Sequence, residues 1–158
     1  MSKNTFLVVL VWLSLAAGIF YLANSALNPN RVADLGNTPS VMLKRGPDGH
    51  YRAEALINGR KVDVLVDTGA TGVAISKRLA DELGLKSRSA VRTVTANGES
   101  VAYMTRLATV QLGGIEAKDV AAIIAPGLGG DALLGMSFLS RMDVRLYQGT
   151  MTIKQVEE

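Results

Sequence analysis

Val64-Leu65-Val66-Asp67-Thr68-Gly69-Ala70-Thr71 is the stretch on which the reading of this chain turns. Three aliphatic residues deliver one carboxylate into a turn of small residues that cannot hide it. Two readings follow. The Asp side chain caps the amides of its own turn, or the strand end holds it rigid for chemistry. What surrounds the stretch decides between them.

Working outward, Arg60–Val66 reads as the returning strand of a hairpin that begins with Tyr51–Ile57. Asn58-Gly59 between them suits positive φ at both positions, as a two-residue turn requires. Upstream, Val41–Arg45 is a short strand, and Gly46-Pro47-Asp48-Gly49 is a strongly punctuated turn. Downstream, Val73-Ala74-Ile75 is another short strand. Ser76 is placed to cap a helix over Lys77–Leu83, whose Leu79, Ala80 and Leu83 have helical spacing, and Gly84 suits its end. Val91–Thr95 and Ser100–Leu112 flank a hairpin tip at Ala96-Asn97-Gly98-Glu99, and Gly113-Gly114 turns the chain into Ile115–Ile124. Ala132-Leu133-Leu134-Gly135 is a second apolar run ending in glycine. Met136–Arg141 reads as a short helix, and Val144–Tyr147 and Thr150–Lys154 form a last hairpin around Gln148-Gly149. Roughly eight to ten short strands with one or two short helices predict an all-β sandwich or barrel.

The amino-terminal part is different. No charged side chain occurs from Asn4 to Asn30, and Phe6 to Ala23 is almost wholly apolar. About 18 helical residues rise ~27 Å, close to the hydrocarbon core of a bilayer. A membrane anchor through residues 6–23 is the preferred reading. A cleaved signal peptide, with Ala23-Asn24-Ser25 as its cleavage site, is the alternative. Lys3 precedes the span, whereas Arg31 follows it close to Asp34, so the positive-inside tendency puts the amino terminus in the cytoplasm. The expected location is the inner (cytoplasmic) membrane, single-pass, with the folded domain on the periplasmic side. The expected organisation is an anchor or signal peptide over residues 1–27, a linker over 28–40 and the folded domain over 41–158.

Composition removes most chemistries. The chain has no cysteine and one histidine, His50, so thiol nucleophiles, Cys-ligated zinc and HExxH sites are excluded. No phosphate-binding GxxxxGK[ST] or dinucleotide GxGxxG is present, and neither a metal nor a cofactor is expected. A net charge of +3 is spread along the chain and aromatics are few, so no nucleic-acid partner is expected. Carboxylate chemistry remains. Two carboxylates brought close share one proton, one acting as base toward water and the other as acid toward a carbonyl oxygen. Such a pair predicts an acidic pH optimum. It needs Asp on a rigid loop with small neighbours. Gly69 permits close approach, and Thr68 offers a hydroxyl to a facing loop.

Four segments, in order, resemble the retropepsin-like aspartic proteases, in particular the bacterial, membrane-anchored, single-domain kind. They are Leu65-Val66-Asp67-Thr68-Gly69-Ala70-Thr71, Leu79-Ala80-Asp81-Glu82-Leu83-Gly84-Leu85, Thr95-Ala96-Asn97-Gly98 and Leu133-Leu134-Gly135-Met136-Ser137-Phe138-Leu139. The resemblance implies a closed barrel, half of an acid protease, preceded by a transmembrane helix. It implies that Asp67 is the catalytic aspartate, with Thr68, Gly69 and Ala70 supporting its loop. Leu134 and Gly135 would belong to the segment crossing beneath the site, and Ala96, Asn97 and Gly98 to a flap over substrate. With one Asp-Thr-Gly in the chain, the second carboxylate must come from another copy. The expected protein is a homodimeric aspartic endopeptidase acting on peptide or protein substrates through a water held between two Asp67 carboxylates. Val144–Val156 is a candidate for the strands of its interface. The alternative is a catalytically inactive, membrane-anchored module for dimerisation or peptide binding.

Overall fold

The computed structural model describes residues 3–27, 39–87, 89–95 and 98–156. The chain divides into two compact units, Met1–Arg31 and Val32–Glu158. The first is a helix, α1 (Lys3–Leu27), whose described side chains, those of residues 7–23, are all exposed. The span expected over residues 6–23 is thus helical, yet among the described residues no helix is long and apolar enough to cross a membrane. Most of the linker expected over 28–40 lies outside the described residues.

The second unit is built from ten strands and two short helices. The strands are β1 (Ser40–Lys44), β2 (Tyr51–Ile57), β3 (Arg60–Val66), β4 (Val73–Ser76), β5 (Ala90–Thr95), β6 (Gly98–Leu112), β7 (Ile115–Ala125), β8 (Ala132–Leu134), β9 (Met142–Tyr147) and β10 (Thr150–Gln155). Helix α2 covers Lys77–Glu82 and α3 covers Met136–Leu139. Local sequence explains the β2–β3 hairpin. Tyr51, Ala53, Ala55 and Ile57 point inward while Arg52, Glu54 and Leu56 point out, the period of a strand with one buried face. Asn58 (φ 49°) and Gly59 (φ 79°) both take left-handed backbone, so the turn twists in the same sense as its strands.

Seven strands run in the order β2-β3-β8-β4-β7-β6-β5. A further pairing of β2 with β6, Leu56 against Gln111 and Ile57 against Val110, joins the ends. Six strands therefore close into a barrel, and β5 extends the sheet beyond β6. Closure leaves no open edge around the ring. A separate three-stranded sheet has the order β1-β10-β9. The core is continuous through both, with Val41, Leu43, Ile57, Val64, Ile75, Leu107, Val120, Phe138, Met151 and Ile153 all buried. The carboxy-terminal hairpin, a candidate for intersubunit strands, is thus engaged within its own chain, Val41 opposite Ile153 and Leu43 opposite Met151.

The turn at Gly46-Pro47-Asp48-Gly49 carries an electrostatic consequence. The Asp48 carboxylate accepts hydrogen bonds from Arg52 Nη2 (2.8 Å) and from the His50 amide (3.1 Å). The Arg52 bond, then the His50 bond, lowers its pKa from 3.8 to about 2. A carboxylate depressed in the folded state stabilises fully above its unfolded value and loses that contribution as pH falls through the folded one. Urea midpoints of wild type and Asp48→Asn should therefore differ above about pH 4 and converge toward pH 2. A gap that stays constant across that range would refute the assignment.

Candidate active site

Asp67 stands where two chain segments that are distant in sequence meet. β3 and β8 lie parallel, Leu65 opposite Leu133 and Val66 opposite Leu134. The ladder continues one step past the strand, the Asp67 amide donating to the Leu134 carbonyl at 3.0 Å. The aspartate backbone is therefore fixed by a barrel strand, while its half-buried side chain projects at the barrel's end. Asp67 Oδ1 accepts the Gly69 amide at 2.8 Å, and the Asp67 carbonyl accepts the Ala70 amide at 3.4 Å. The side chain thus does cap its own turn, and among the described residues Oδ2 has no partner. Among the described residues no cation pairs with this carboxylate.

Support comes from beneath. The Met136 amide donates to the Ala70 carbonyl at 2.9 Å. Gly135 lies under the loop so closely that a β-carbon there would fall 2.6 Å from the Ala70 oxygen and 2.3 Å from the Gly72 oxygen. Gly69 is less crowded, a β-carbon meeting only Asp67 Oδ1 at 3.2 Å. Asp67, Ala70, Leu134 and Gly135 are thus brought together, with Leu134 buried and serving the core as well as the crossing. Thr68 and Gly69 are exposed at the tip of the loop. Of the residues expected in a flap, Ala96 and Asn97 lie outside the described residues, and Gly98 opens β6 (φ 101°).

One supporting residue escaped sequence reasoning. Ser137 Oγ accepts the Val73 amide (2.9 Å) just after the Asp67 loop and donates to the Ala121 carbonyl on β7 (2.8 Å). It ties loop, α3 and β7 at one point. A serine in a four-residue helix has no periodicity to announce it; its place two residues after Gly135 was the available signal. Ser137→Ala leaves the amide of fully buried Val73 unsatisfied, which costs ~1–3 kcal/mol. Urea denaturation should show a loss in that range, and an unchanged midpoint would show that water or a shifted loop replaces the hydroxyl.

Comparison with known proteins places this geometry in a family. Residues 53–141 match the family described as "gag-polyprotein putative aspartyl protease". A retropepsin-like aspartic protease from Rickettsia conorii superposes with a TM-score of 0.67 at 31% identity, over 75% of this chain and 92% of its own. The chain belongs to the retropepsin-like aspartic protease family. EIAV protease, solved with the inhibitor HBY-793, shares the fold at 20% identity, with a TM-score of 0.51 over 60% of this chain and 88% of its own. Two curated relatives are themselves uncharacterised. The "Uncharacterized protein in cobV 5'region" of Sinorhizobium sp is 32% identical over 117 residues, 72% of this chain and 50% of that protein. A protein of Rickettsia prowazekii is 38% identical over 104 residues, 64% of this chain and 45% of its own length. The retropepsin-like chain therefore spans about half the length of these curated relatives.

Proposed function

We propose that this retropepsin-like chain is an aspartic endopeptidase that works as a homodimer. Each copy contributes Asp67, and a water held between the two carboxylates attacks the peptide carbonyl. The observation that carries this reading is the placement of Asp67. Its backbone is locked to β8 and one carboxylate oxygen is used by the turn, so the other is presented at the end of a closed barrel. Rigid presentation is what a positioned acid or base requires. The Thr68 hydroxyl supports it too. It is exposed and has no partner among the described residues, as expected for a group that bonds to a facing loop. The test is cleavage of a peptide library by the full chain and by its Asp67→Asn variant. Cleavage that survives the substitution would leave a non-catalytic binding or dimerisation module instead.

The membrane is part of the same proposal. A single-pass anchor over residues 6–23, in the inner membrane with the barrel on the periplasmic side, is supported by the absence of charge from Asn4 to Asn30 and by the exposure of Leu7, Trp12, Leu15, Ile19 and Phe20 along α1. Confinement to a plane would raise the effective concentration of chains and favour pairing. Extraction at alkaline pH, followed by protease accessibility of the intact barrel in spheroplasts, tests both the anchoring and the side.

A further inference from the structure

We propose that helix α2 clamps the strand pair that carries Asp67, with Arg78 as the positioning residue: through Glu82 and Asp131 it fixes where β8 starts against β3. Its effect on cleavage rests on the peptidase reading above, whereas its effect on the strand pair does not.

β8 is the strand that most needs such a fixture. It has three residues; Gly127, Gly129 and Gly130 lead into it, and Gly135 follows it. Glycines give the chain ahead of the strand wide conformational freedom, and a short run beside glycines specifies register weakly. Register nevertheless matters here, because the Leu134 carbonyl at the end of β8 holds the Asp67 amide. A slide of β8 along β3 would carry that bond with it.

α2 grips the residue ahead of β8 twice. The Asp131 carbonyl accepts the Ser76 amide at the helix N-cap (2.9 Å), and the Asp131 carboxylate accepts Arg78 Nη2. The other terminal guanidinium nitrogen, Arg78 Nη1, donates to Glu82 Oε1 at 2.7 Å. Glu82 Oε2 in turn pairs with Arg60 Nη2 at 2.7 Å, and Arg60 is the first residue of β3. Charges thus alternate along Arg60–Glu82–Arg78–Asp131, and each link uses a different atom. The path runs from the head of β3 to the head of β8 through one helix. A planar guanidinium holds two carboxylates in fixed geometry, which a flexible ammonium does not. The helix between them is itself seated: Leu79 and Ala80 are buried, and Ser76 Oγ accepts the Leu79 amide.

The same helix carries its own comparison. Lys77 and Asp81 pair one turn apart, and among the described residues their side chains bond to no other element. Such an exposed pair is worth little. Glu82 and Asp131 differ, with side chains 29% and 30% exposed against 58% for Asp81, so solvent screens them less.

The test is hydrogen exchange of the Asp67 amide, read by nuclear magnetic resonance on the full chain in detergent micelles. In Arg78→Ala this amide should exchange roughly five-fold faster, the worth of two modest ion pairs. Amides of the β6–β7 ladder, remote from the Arg78 contacts, should keep their rates. Arg78→Lys should recover part of the protection, since an ammonium can serve one carboxylate. Asp131→Asn, which keeps the carbonyl bond to Ser76 and removes only the charge, should act in the same direction as Arg78→Ala. Lys77→Ala, which takes a cation from the same helix, should change nothing at Asp67. An unchanged Asp67 amide in both Arg78→Ala and Asp131→Asn would overturn the clamp. So would faster exchange spread evenly over the barrel, or an equal effect of Lys77→Ala, since either is what a merely stabilising helix would give. Peptide cleavage is followed in the same samples, where Arg78→Ala should lower kcat several-fold and leave KM unchanged. Asp67-dependent cleavage with an Asp67 amide indifferent to Arg78 overturns the clamp alone. An Arg78-dependent amide in a chain without Asp67-dependent cleavage supports the clamp and overturns the peptidase reading.

Discussion

An equal mixture of wild-type and Asp67→Asn chains should retain about a quarter of its dimers with two carboxylates, and cleavage per dimer should fall in proportion. Asn is the substitution of choice because it is nearly isosteric and keeps an oxygen at Oδ1. That oxygen still accepts the Gly69 amide that closes the turn. Folding and pairing are therefore preserved while the acid–base function is lost. Asn homodimers should lose cleavage by ~10²–10⁴-fold or more, the scale of a missing acid–base group. Heterodimers should be as inactive as Asn homodimers, since one carboxylate cannot serve as both base and acid in a single step. A chain with a self-sufficient site would instead lose activity linearly with dilution. The shape of the mixing curve thus separates a shared site from a private one, whatever the substrate. Linear loss would refute the shared site.

Local features of the fold were legible because local residues cause them. Asn58-Gly59 forces its hairpin, Ser76 caps α2 by accepting the Leu79 amide, and the alternation of Tyr51–Ile57 marks which face is buried. Other features depend on partners far along the chain. Nothing in Ala132-Leu133-Leu134 says that it lies parallel to β3 and antiparallel to β4, because a short apolar run fits any interior strand. The pairing of β10 with β1 is equally silent, since Thr150–Gln155 would suit an intersubunit sheet as well. Within the site, Asp67-Thr68-Gly69 was recognisable as a motif, but the two-way hydrogen bonding of Ser137 was not. The motif names the residue types; the parallel pairing of β3 with β8 supplies the rigidity. Periodicity reports burial and turns, whereas the candidate site is made by contacts between segments that share no period.

Gly135→Ala should be the most damaging single-methyl change in the barrel. Adding a β-carbon to glycine normally stabilises by ~0.4–1 kcal/mol where the backbone permits, because the unfolded chain loses freedom. At Gly135 the backbone conformation is permissive (φ −103°), so the outcome is decided by space. The new carbon would sit 2.3 Å from the Gly72 oxygen, 2.6 Å from the Ala70 oxygen and 2.9 Å from the Gly72 carbon. These are main-chain atoms with no rotamer to escape through. Relief requires the Asp67 loop to lift off α3 and stretch the bond from the Met136 amide to the Ala70 carbonyl. Overpacking costs ~1–3 kcal/mol even where side chains can yield, so the clash outweighs the entropic gain. The urea midpoint should drop by an amount at or beyond that upper figure, and peptide cleavage should fall further than the loss of folded protein explains. Gly129→Ala is the matched control: a β-carbon there meets nothing within 4 Å, so its midpoint should be unchanged or slightly raised. If Gly135→Ala behaves like the control, the close approach beneath Asp67 is not what holds the loop. If it loses cleavage at conditions where circular dichroism shows it folded, the glycine's role is to set the height of the aspartate, and the crossing beneath the loop becomes part of the chemistry rather than of the scaffold alone.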